Sequence, residues 1–599
     1  MQELDGWFIT DGSPGPGEAP LSDSHSPNIA ATRLSTRGGA CQVHGGWIAS
    51  DAEGRLAAVI GHPGWREPAA SPADPARTLL VAYQQHGAAV LERLGGDFAL
   101  AILDPVENRL LAGIDRLGQW PLYFSRITGG VAFSTSLARL PTPDGQAREP
   151  TADGLFHYLF FHMLPAPVSL YAGVEKLQSA HCLRLGQNTL RVEPYWLPRF
   201  EEPAQADIAT LGGQLRQHLG DSVKRLAEPA ATGAFLSGGL DSSSVAGMLA
   251  AQRPGQADTF SIGFDAPGYD EIAYARLATD HFGTRPHEYY VTPEDVVEAV
   301  PLIAENYDEP FGNSSALPAY FCARLAADAG MTRLLAGDGG DELFAGNARY
   351  AKQGVFELWY RQPALARRLL EPLLTRLPRQ VPLLGKARSY VEQARIPLPD
   401  RLQTYNYLHR LPLAEMFDPG FLEQVNTDDP WDLMRGIYRR PENASTLNRM
   451  MYLDWQQTLA DNDLRKVSRM CHLAGVEVVY PMLDDTLVEF ACRVPSTLKL
   501  HKGRLRHFYK EAMSGFLPDE IIDKKKHGFG LPFGVWMQEH APLRELAYDG
   551  LLRFKQRGII RPAFIDRLIT LHREGHAAYY GELVWVLMML DLWLETHHK

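Results

Sequence analysis

Ala234-Phe235-Leu236-Ser237-Gly238-Gly239-Leu240-Asp241-Ser242-Ser243 decides how this chain reads. Three apolar residues, enough for a short buried strand, run into two glycines, and helical spacing follows over Ser243 to Ala251. Glycines at that point let backbone N–H groups close around an anion. The following helix N-terminus adds the positive end of its dipole, and three serines add hydroxyl donors. Asp241 is placed to hold Mg²⁺ against phosphate oxygens. Taken alone, the seven residues from Ser237 have a plainer alternative, a turn that only caps a helix. No Gly-x-x-x-x-Gly-Lys-[Ser/Thr] loop occurs, so a Walker-type nucleotide site is excluded.

Working outward, the same rhythm continues. Leu211 to Leu226 has helical periodicity, Thr259 to Phe264 reads as a strand, Ile272 to Phe282 as a helix, and Glu288 to Val291 as a strand. Pro293 to Glu305 and Leu317 to Ala329 read as helices, and Thr332 to Ala336 as a strand running into Gly337-Asp338-Gly339-Gly340-Asp341-Glu342-Leu343-Phe344. Strands alternating with helices of this length predict a doubly wound parallel sheet. Such sheets bind ligands at strand carboxyl ends, where both Gly-rich loops fall. Glycines and close carboxylates in the second loop suit a hard cation, so the two loops together predict one nucleotide–Mg²⁺ site. An acidic turn serving only as a cap is the plainer alternative for that loop.

The first ~195 residues read as β-rich. Phe98 to Leu103 and Arg109 to Gly113 are apolar runs about an Asp104-to-Asn108 turn, the pattern of a buried hairpin, and Leu122 to Phe124 and Val131 to Phe133 continue it. Leu197 to Asp207 reads as a linker. From about 350 to 450 the chain is rich in Leu, Arg and Pro, and beyond that it is largely helical, without an internal repeat. Of the 599 residues 45% are hydrophobic and 22% charged, an ordinary globular balance, and the net charge of −12 argues against a broad grip on nucleic acid. Five scattered cysteines (Cys41, Cys182, Cys322, Cys471, Cys492), none in a Cys-x-x-Cys pair, point away from disulfides and zinc and toward a reducing cytoplasm. Cys471 and Cys492 read as core residues. No signal-peptide pattern opens the chain, and the longest apolar run, Val584 to Leu590, is short of the ~20 residues of a membrane span, so no membrane partner is expected.

Ser237 to Ser243, Gly337 to Phe344, Asp308-Glu309-Pro310, the segment Gly475 to Asp484 with Glu477, Pro481 and Leu483-Asp484, and Lys524 to Pro532 together resemble the synthetase domain of the asparagine synthetase superfamily. The resemblance implies cleavage of ATP between its α- and β-phosphates, an acyl-adenylate, and attack by an amine. It implies a fold of two parts: an N-terminal α+β sandwich of Ntn-hydrolase type over 1–197, and a parallel-sheet ATP-pyrophosphatase domain with a helical C-terminal part over 208–599. By position, Ser237, Gly238, Gly239, Ser242 and Ser243 would cradle pyrophosphate, and Leu236, Ile262 and Gly337 would line the adenosine pocket. Asp241 and Asp341 would bind Mg²⁺, Asp338 would deprotonate the attacking amine, and Lys526 would neutralise charge on the phosphoryl and acyl oxygens. Without that resemblance Lys526 would read as one solvated charge in a lysine run.

Arg93 to Phe124, with Asp115-Arg116-Leu117-Gly118 and Pro121-Leu122-Tyr123, is similar to the family's glutaminase domain. That chemistry needs a cysteine exposed as the first residue after Met removal, and the second residue here is Gln2. No Asn-Gly-Glu stretch is present, its counterpart being Ile60-Gly61-His62. A degenerate glutaminase is therefore expected. Asparagine synthetases usually carry Asp where Lys466-Val467-Ser468-Arg469-Met470 has Ser468, which weakens free aspartate as the substrate. Among relatives without the cysteine, β-lactam synthetases are expected to carry Tyr at the position of Asp338. A lasso-peptide cyclase fits better: a macrolactam synthetase working with a leader peptidase and a leader-binding protein on a peptide carboxylate, without nucleic acid. The runner-up is an ammonia-dependent asparagine synthetase or another small-molecule amide synthetase. A non-catalytic nucleotide-binding scaffold is the alternative of another class. RNA-thiolating enzymes share the Ser-Gly-Gly-x-Asp-Ser loop but need reactive cysteines and basic surfaces.

Overall fold

The structure is a computed structural model describing residues 2–11, 31–66, 74–141, 148–187, 189–203, 206–229, 231–377, 381–524 and 530–598. Numbered along the chain, the N-terminal half holds β1 (Glu3–Ile9), β2 (Ala31–Thr36), β3 (Gly39–His44), β4 (Trp47–Ser50), β5 (Leu56–Trp65), β6 (Leu94–Asp104), β7 (Arg109–Ile114), β8 (Tyr123–Ile127), β9 (Gly130–Ser134), β10 (Val174–Lys176), β11 (His181–Gly186) and β12 (Thr189–Pro194). They form two six-stranded sheets in the orders β10-β8-β9-β1-β3-β2 and β12-β11-β7-β6-β5-β4. The hairpin expected about Asp104 is present, pairing Ala99 with Ile114 through Asp104 with Arg109. β6 is apolar on both faces because both are covered. Ala99, Ala101 and Leu103 enter the core between the sheets with Leu4, Phe8 and Cys41. Phe98, Leu100 and Ile102 meet Leu79, Leu80 and Tyr83 of α1 (Pro75–His86) on the outside.

The second half is built on a five-stranded parallel sheet of β13 (Thr232–Phe235), β14 (Asp258–Phe264), β15 (Arg285–Val291), β16 (Arg333–Leu335) and β17 (Glu477–Val479), in the order β15-β14-β13-β16-β17. All its pairings are parallel. The expected alternation is observed: α3 (Ile208–Leu226), α4 (Leu240–Gln252), α5 (Ile272–Phe282), α6 (Pro293–Asn306) and α7 (Ala316–Asp328) separate the strands. The chain walks outward from β13 to β15 and then returns to the other side of β13 as β16. The order of strands therefore reverses between β13 and β16, and a parallel sheet opens its ligand crevice at that point. Each of these two strands is followed by one of the Gly-rich loops.

The stretch read as a linker after β12 is tied down where it is described. Phe200 packs against Trp455, and Glu201 N–H donates to the Cys492 carbonyl at 2.9 Å. The apolar run Val584 to Leu590 belongs to a longer element than the sequence reading allowed. It lies in a 21-residue helix, Ala577–His597, long and apolar enough by length and composition to cross a membrane. Glu582 and Asp591 interrupt the apolar count without interrupting the helix. That helix is buried among Phe533–Glu539, Ala541–Phe554 and Pro562–Glu574, so its apolar circumference is that of a core helix.

Candidate active site

The first loop leaves β13 with Gly238 at φ +66, a conformation in which a side chain is strained, and a Cβ there would sit 2.4 Å from the Tyr274 backbone. Ser237 and Ser242 close the loop on itself through hydroxyls 2.9 Å apart, and Ser237 N–H donates to Ser242 Oγ at 3.2 Å. Ser243 is fully buried at the start of α4, and its Oγ has no hydrogen-bond partner among the described residues. Leu236 is buried, its N–H donating to the Phe260 carbonyl, and Ile262 is buried on neighbouring β14.

The second loop, after β16, packs directly on the first. A Cβ on Gly337 would lie 2.7 Å from Ser242 N, and one on Gly340 would lie 2.0 Å from Asp241 Oδ1. Gly346, where a Cβ would meet Asp341 Oδ1 at 1.7 Å, holds the second carboxylate equally close. These contacts bring Asp241 and Asp341 to a common point, marked by the Arg506 guanidinium. Arg506 Nη1 donates to Asp241 Oδ2 at 2.6 Å and to Asp341 Oδ1 at 2.8 Å. Arg506 is buried, 4.2 Å over the Tyr509 ring. Burial opposes its charge, but the two carboxylates outweigh that and hold it protonated. A site where one cation already bridges two carboxylates fits Mg²⁺, a hard ion that takes a few carboxylates and completes its shell with phosphate and water. Among the described residues no group of three or more His, Cys, Asp or Glu gathers as a self-sufficient metal cage.

Asp338 lies between these loops and the helix Leu464–Leu473. Burial pushes its carboxyl up to about 6, against the pull of the Lys466 ammonium. Lys466 Nζ in turn donates to Asp463 Oδ1 at 2.8 Å. Ser468, two residues further along that helix, shares a 2.7 Å hydrogen bond with the Tyr480 hydroxyl. A π-helical stretch, Trp455–Asp463, feeds this helix and sets where Asp463 and Lys466 face. Lys526 lies outside the described residues. Two residues before it, Lys524 Nζ donates to the Gly238 carbonyl at 3.3 Å and to Glu271 Oε2 at 3.1 Å. Lys524, at the start of the Lys524-to-Pro532 motif, is therefore held against the first loop.

Ser237, Gly238, Gly239, Asp241, Ser242, Ser243, Gly337, Asp338 and Asp341 are brought together at the two strand ends, with Leu236 and Ile262 in the apolar floor beneath. Sequence reading missed Arg506, which stands in no motif. It also missed the part played by Lys466, quoted only for its neighbour Ser468. A buried arginine is visible in sequence only once its carboxylate partners are placed in space.

The sandwich half meets this site from the side. Gln2 Oε1 accepts the Gly61 N–H, His62 Nδ1 lies 3.2 Å from Asp97, and Trp120 Nε1 donates to Asp97 at 3.0 Å. His62 Nε2 reaches across to Glu477 at 3.1 Å, and Glu477 also pairs with Arg333 at 2.7 Å. The Asp97 carboxylate is the main reason the His62 imidazole is raised to about 10 and stays charged at neutral pH. Gln2, His62, Asp97, Trp120 and Glu477 line a cavity of about 420 Å³ together with Arg465, Ser468, His472 and Tyr480. All five cysteines are buried, and burial pushes the Cys41 thiol well above the usual range.

An antiparallel double-sheet domain fused to a parallel sheet with an anion loop at its switch point has the build of an ATP-dependent amide-forming ligase. The chain belongs to the asparagine synthase family, whose model matches residues 214–595, and a glutamine amidotransferase domain model matches residues 69–196. It is similar to asparagine synthetase [glutamine-hydrolyzing] 1 of Bacillus subtilis (strain 168), 24% identical over 86% of this chain and 80% of that protein. A putative asparagine synthetase [glutamine-hydrolyzing] of Mycobacterium tuberculosis (strain ATCC 25618 / H37Rv) is 27% identical over 86% of this chain and 78% of its own length. A putative asparagine synthetase [glutamine-hydrolyzing] 2 of Methanocaldococcus jannaschii is 31% identical over 52% of this chain and 61% of its own length.

Proposed function

We propose that this chain adenylates an Asp or Glu side chain of a peptide and closes a macrolactam ring with that peptide's own N-terminal amine, as a lasso-peptide cyclase does. The observation that carries this reading is Gln2 beside Gly61 in a sandwich whose cysteines are all buried. With no accessible thiolate, glutamine has nothing to release its ammonia, so the amine arrives with the acceptor. The cavity of about 420 Å³ beside Ser468 and Tyr480 supports an acceptor far larger than ammonia. Such an enzyme receives its substrate from a leader peptidase and a leader-binding protein.

In this reading Ser237, Gly238, Gly239, Ser242 and Ser243 hold the departing pyrophosphate, while Leu236, Ile262 and Gly337 line the adenosine pocket. Asp241 and Asp341 would hold Mg²⁺, which would supply positive charge against the phosphate oxygens. A peptide carboxylate oxygen attacks the α-phosphorus of ATP and pyrophosphate leaves. The N-terminal nitrogen then attacks the acyl carbon, its proton passes to Asp338, and AMP leaves with the carboxylate oxygen. Lys526 neutralises charge developing on the phosphoryl and acyl oxygens.

The test is Mg²⁺-dependent pyrophosphate release with a leaderless core peptide, alongside aspartate with ammonium. Pyrophosphate with the peptide, and a product one water lighter, is the expected result. Turnover of aspartate with ammonium alone would make this an ammonia-dependent asparagine synthetase. Tight ATP binding without pyrophosphate from any substrate would make it a nucleotide-binding scaffold.

A further inference from the structure

Three helices, α8 (Ala348–Tyr360), α9 (Ala364–Leu374) and α10 (Pro382–Ala394), form an arm. The arm has its own small core, Trp359, Val391 and Ala394 with Phe356, Leu374 and Tyr390. α9 sits on that core the wrong way round for a surface helix. Its Glu371 pairs inward with Arg395 at 2.6 Å and only Leu374 joins the core, and none of its residues is buried. Leu365, Leu369 and Leu373, four residues apart, and Leu370 beside them make a stripe that faces away from the protein. A surface helix ordinarily turns that stripe to the core.

The exposure is concentrated. Among the described residues, the four most open of the exposed large apolar side chains are Leu383 (80%), Leu365 (71%), Leu369 (66%) and Leu373 (66%), all on this arm. Its charge is equally lopsided. Residues 355–395 carry eight Lys and Arg against three Glu, in a chain whose net charge is −12. The three glutamates are spent within the protein, on Arg401, Arg395 and Arg388. Among the described residues Arg361, Arg368, Arg376 and Lys386 pair with no acid and flank the leucines.

We propose that this arm lies on the surface of an anionic lipid bilayer, with its leucines in the acyl boundary and its arginines at the headgroups. An apolar stripe flanked by unpaired basic residues, on a helix with no other cover, is the build of an interfacial membrane element. Shape decides between lipid and a protein partner. Protein hot spots are aromatic anchors in recessed pockets. Here the anchors are leucines on a projecting arm, and four cavities among the described residues are all lined by residues outside 348–395. The sequence expectation of no membrane partner rested on the length of apolar runs, and a surface-lying element contains no span. The proposal is independent of which carboxylate the active site takes.

The test is co-sedimentation of the full-length protein with extruded vesicles of phosphatidylcholine alone or with about 30% phosphatidylglycerol, at low and high salt. Binding to the anionic vesicles only, and release by high salt, is expected. Leu365→Glu/Leu369→Glu/Leu373→Glu should lower the bound fraction about tenfold or more with an unchanged circular dichroism spectrum. Arg368→Ser/Arg376→Ser/Lys386→Ser should abolish the preference for anionic lipid. Failure to bind either vesicle, or binding untouched by the leucine variant, overturns the proposal. So does a concentration-dependent dimer in light scattering that the leucine variant dissolves, since a second copy would then cover the stripe.

Discussion

At the scale of single residues, the site is governed by which charges the fold has buried and with what. Asp338 is an acid kept near 6 by its surroundings, so it is mostly a base at neutral pH and mostly protonated at pH 5. If it takes the amine's proton, the rate of amide formation should climb about tenfold per pH unit below 6 and level off above about 7. Asp338→Asn should flatten that profile and lower the rate about 10²–10⁴-fold while pyrophosphate exchange persists. An unchanged pH profile in the variant would remove Asp338 from the chemistry. Arg506 makes a second case. Asp241→Ala or Asp341→Ala removes one of the two carboxylates proposed to hold Mg²⁺ and also leaves a buried guanidinium with one carboxylate instead of two. Loss of pyrophosphate release should therefore come with destabilisation on the order of 2–3 kcal/mol, seen in denaturant unfolding. Loss of activity with wild-type stability would mean that the guanidinium finds other partners.

Elements were legible in the sequence where one physical rule governed them, and obscure where two competed. The strands and helices from α3 through β16 follow from alternating apolar runs and 3.6-residue periods, and β6 from an apolar run with turn residues after it. The two loops were legible because Ser-Gly-Gly and Gly-Asp-Gly-Gly have few other uses at strand ends. The π-helical stretch Trp455–Asp463 leaves no such mark, because its extra residue per turn is imposed by packing. The same holds for the pairing of Arg506 with its carboxylates and for the approach of Lys466 to Asp338, both products of tertiary approach. The helix Ala577–His597 was under-read because counting an uninterrupted apolar run is not a measure of helix length. Its close packing is testable. A Cβ on Gly581 would lie 2.4 Å from the Gly534 Cα, so this helix and Phe533–Glu539 touch backbone to backbone. Gly581→Val should cost about 1–3 kcal/mol in urea unfolding through overpacking. A variant as stable as the parent would show that the two helices can separate freely.

On the scale of the whole molecule, the amidotransferase half is a partner held by charge. Arg116 is buried against Glu489 at 2.7 Å, Lys176 against Glu309 at 2.7 Å, and Asp308 against Arg469, each pair joining the sandwich to the parallel-sheet half or closing the seam between them. His62 stands at the same seam, joined to Asp97 on its own side and to Glu477 on the other. Its folded pKa of about 10, against an ordinary 6.5, fixes the sign of a pH effect. A group raised on folding contributes stability that is complete below its unfolded pKa, here about 6.5, and lost as pH rises through the folded value. The two halves should therefore loosen between about pH 7 and 10. Because His62 is partly open to water, the expected loss is about 1–2 kcal/mol rather than the full value the shift implies. His62→Gln keeps a hydrogen-bonding side chain but cannot carry the charge. It should be less stable than the parent at pH 7 and equal to it near pH 10, with the difference measured by urea unfolding at each pH. A constant difference across that range would assign His62 a packing role and leave the seam to its arginine and lysine pairs.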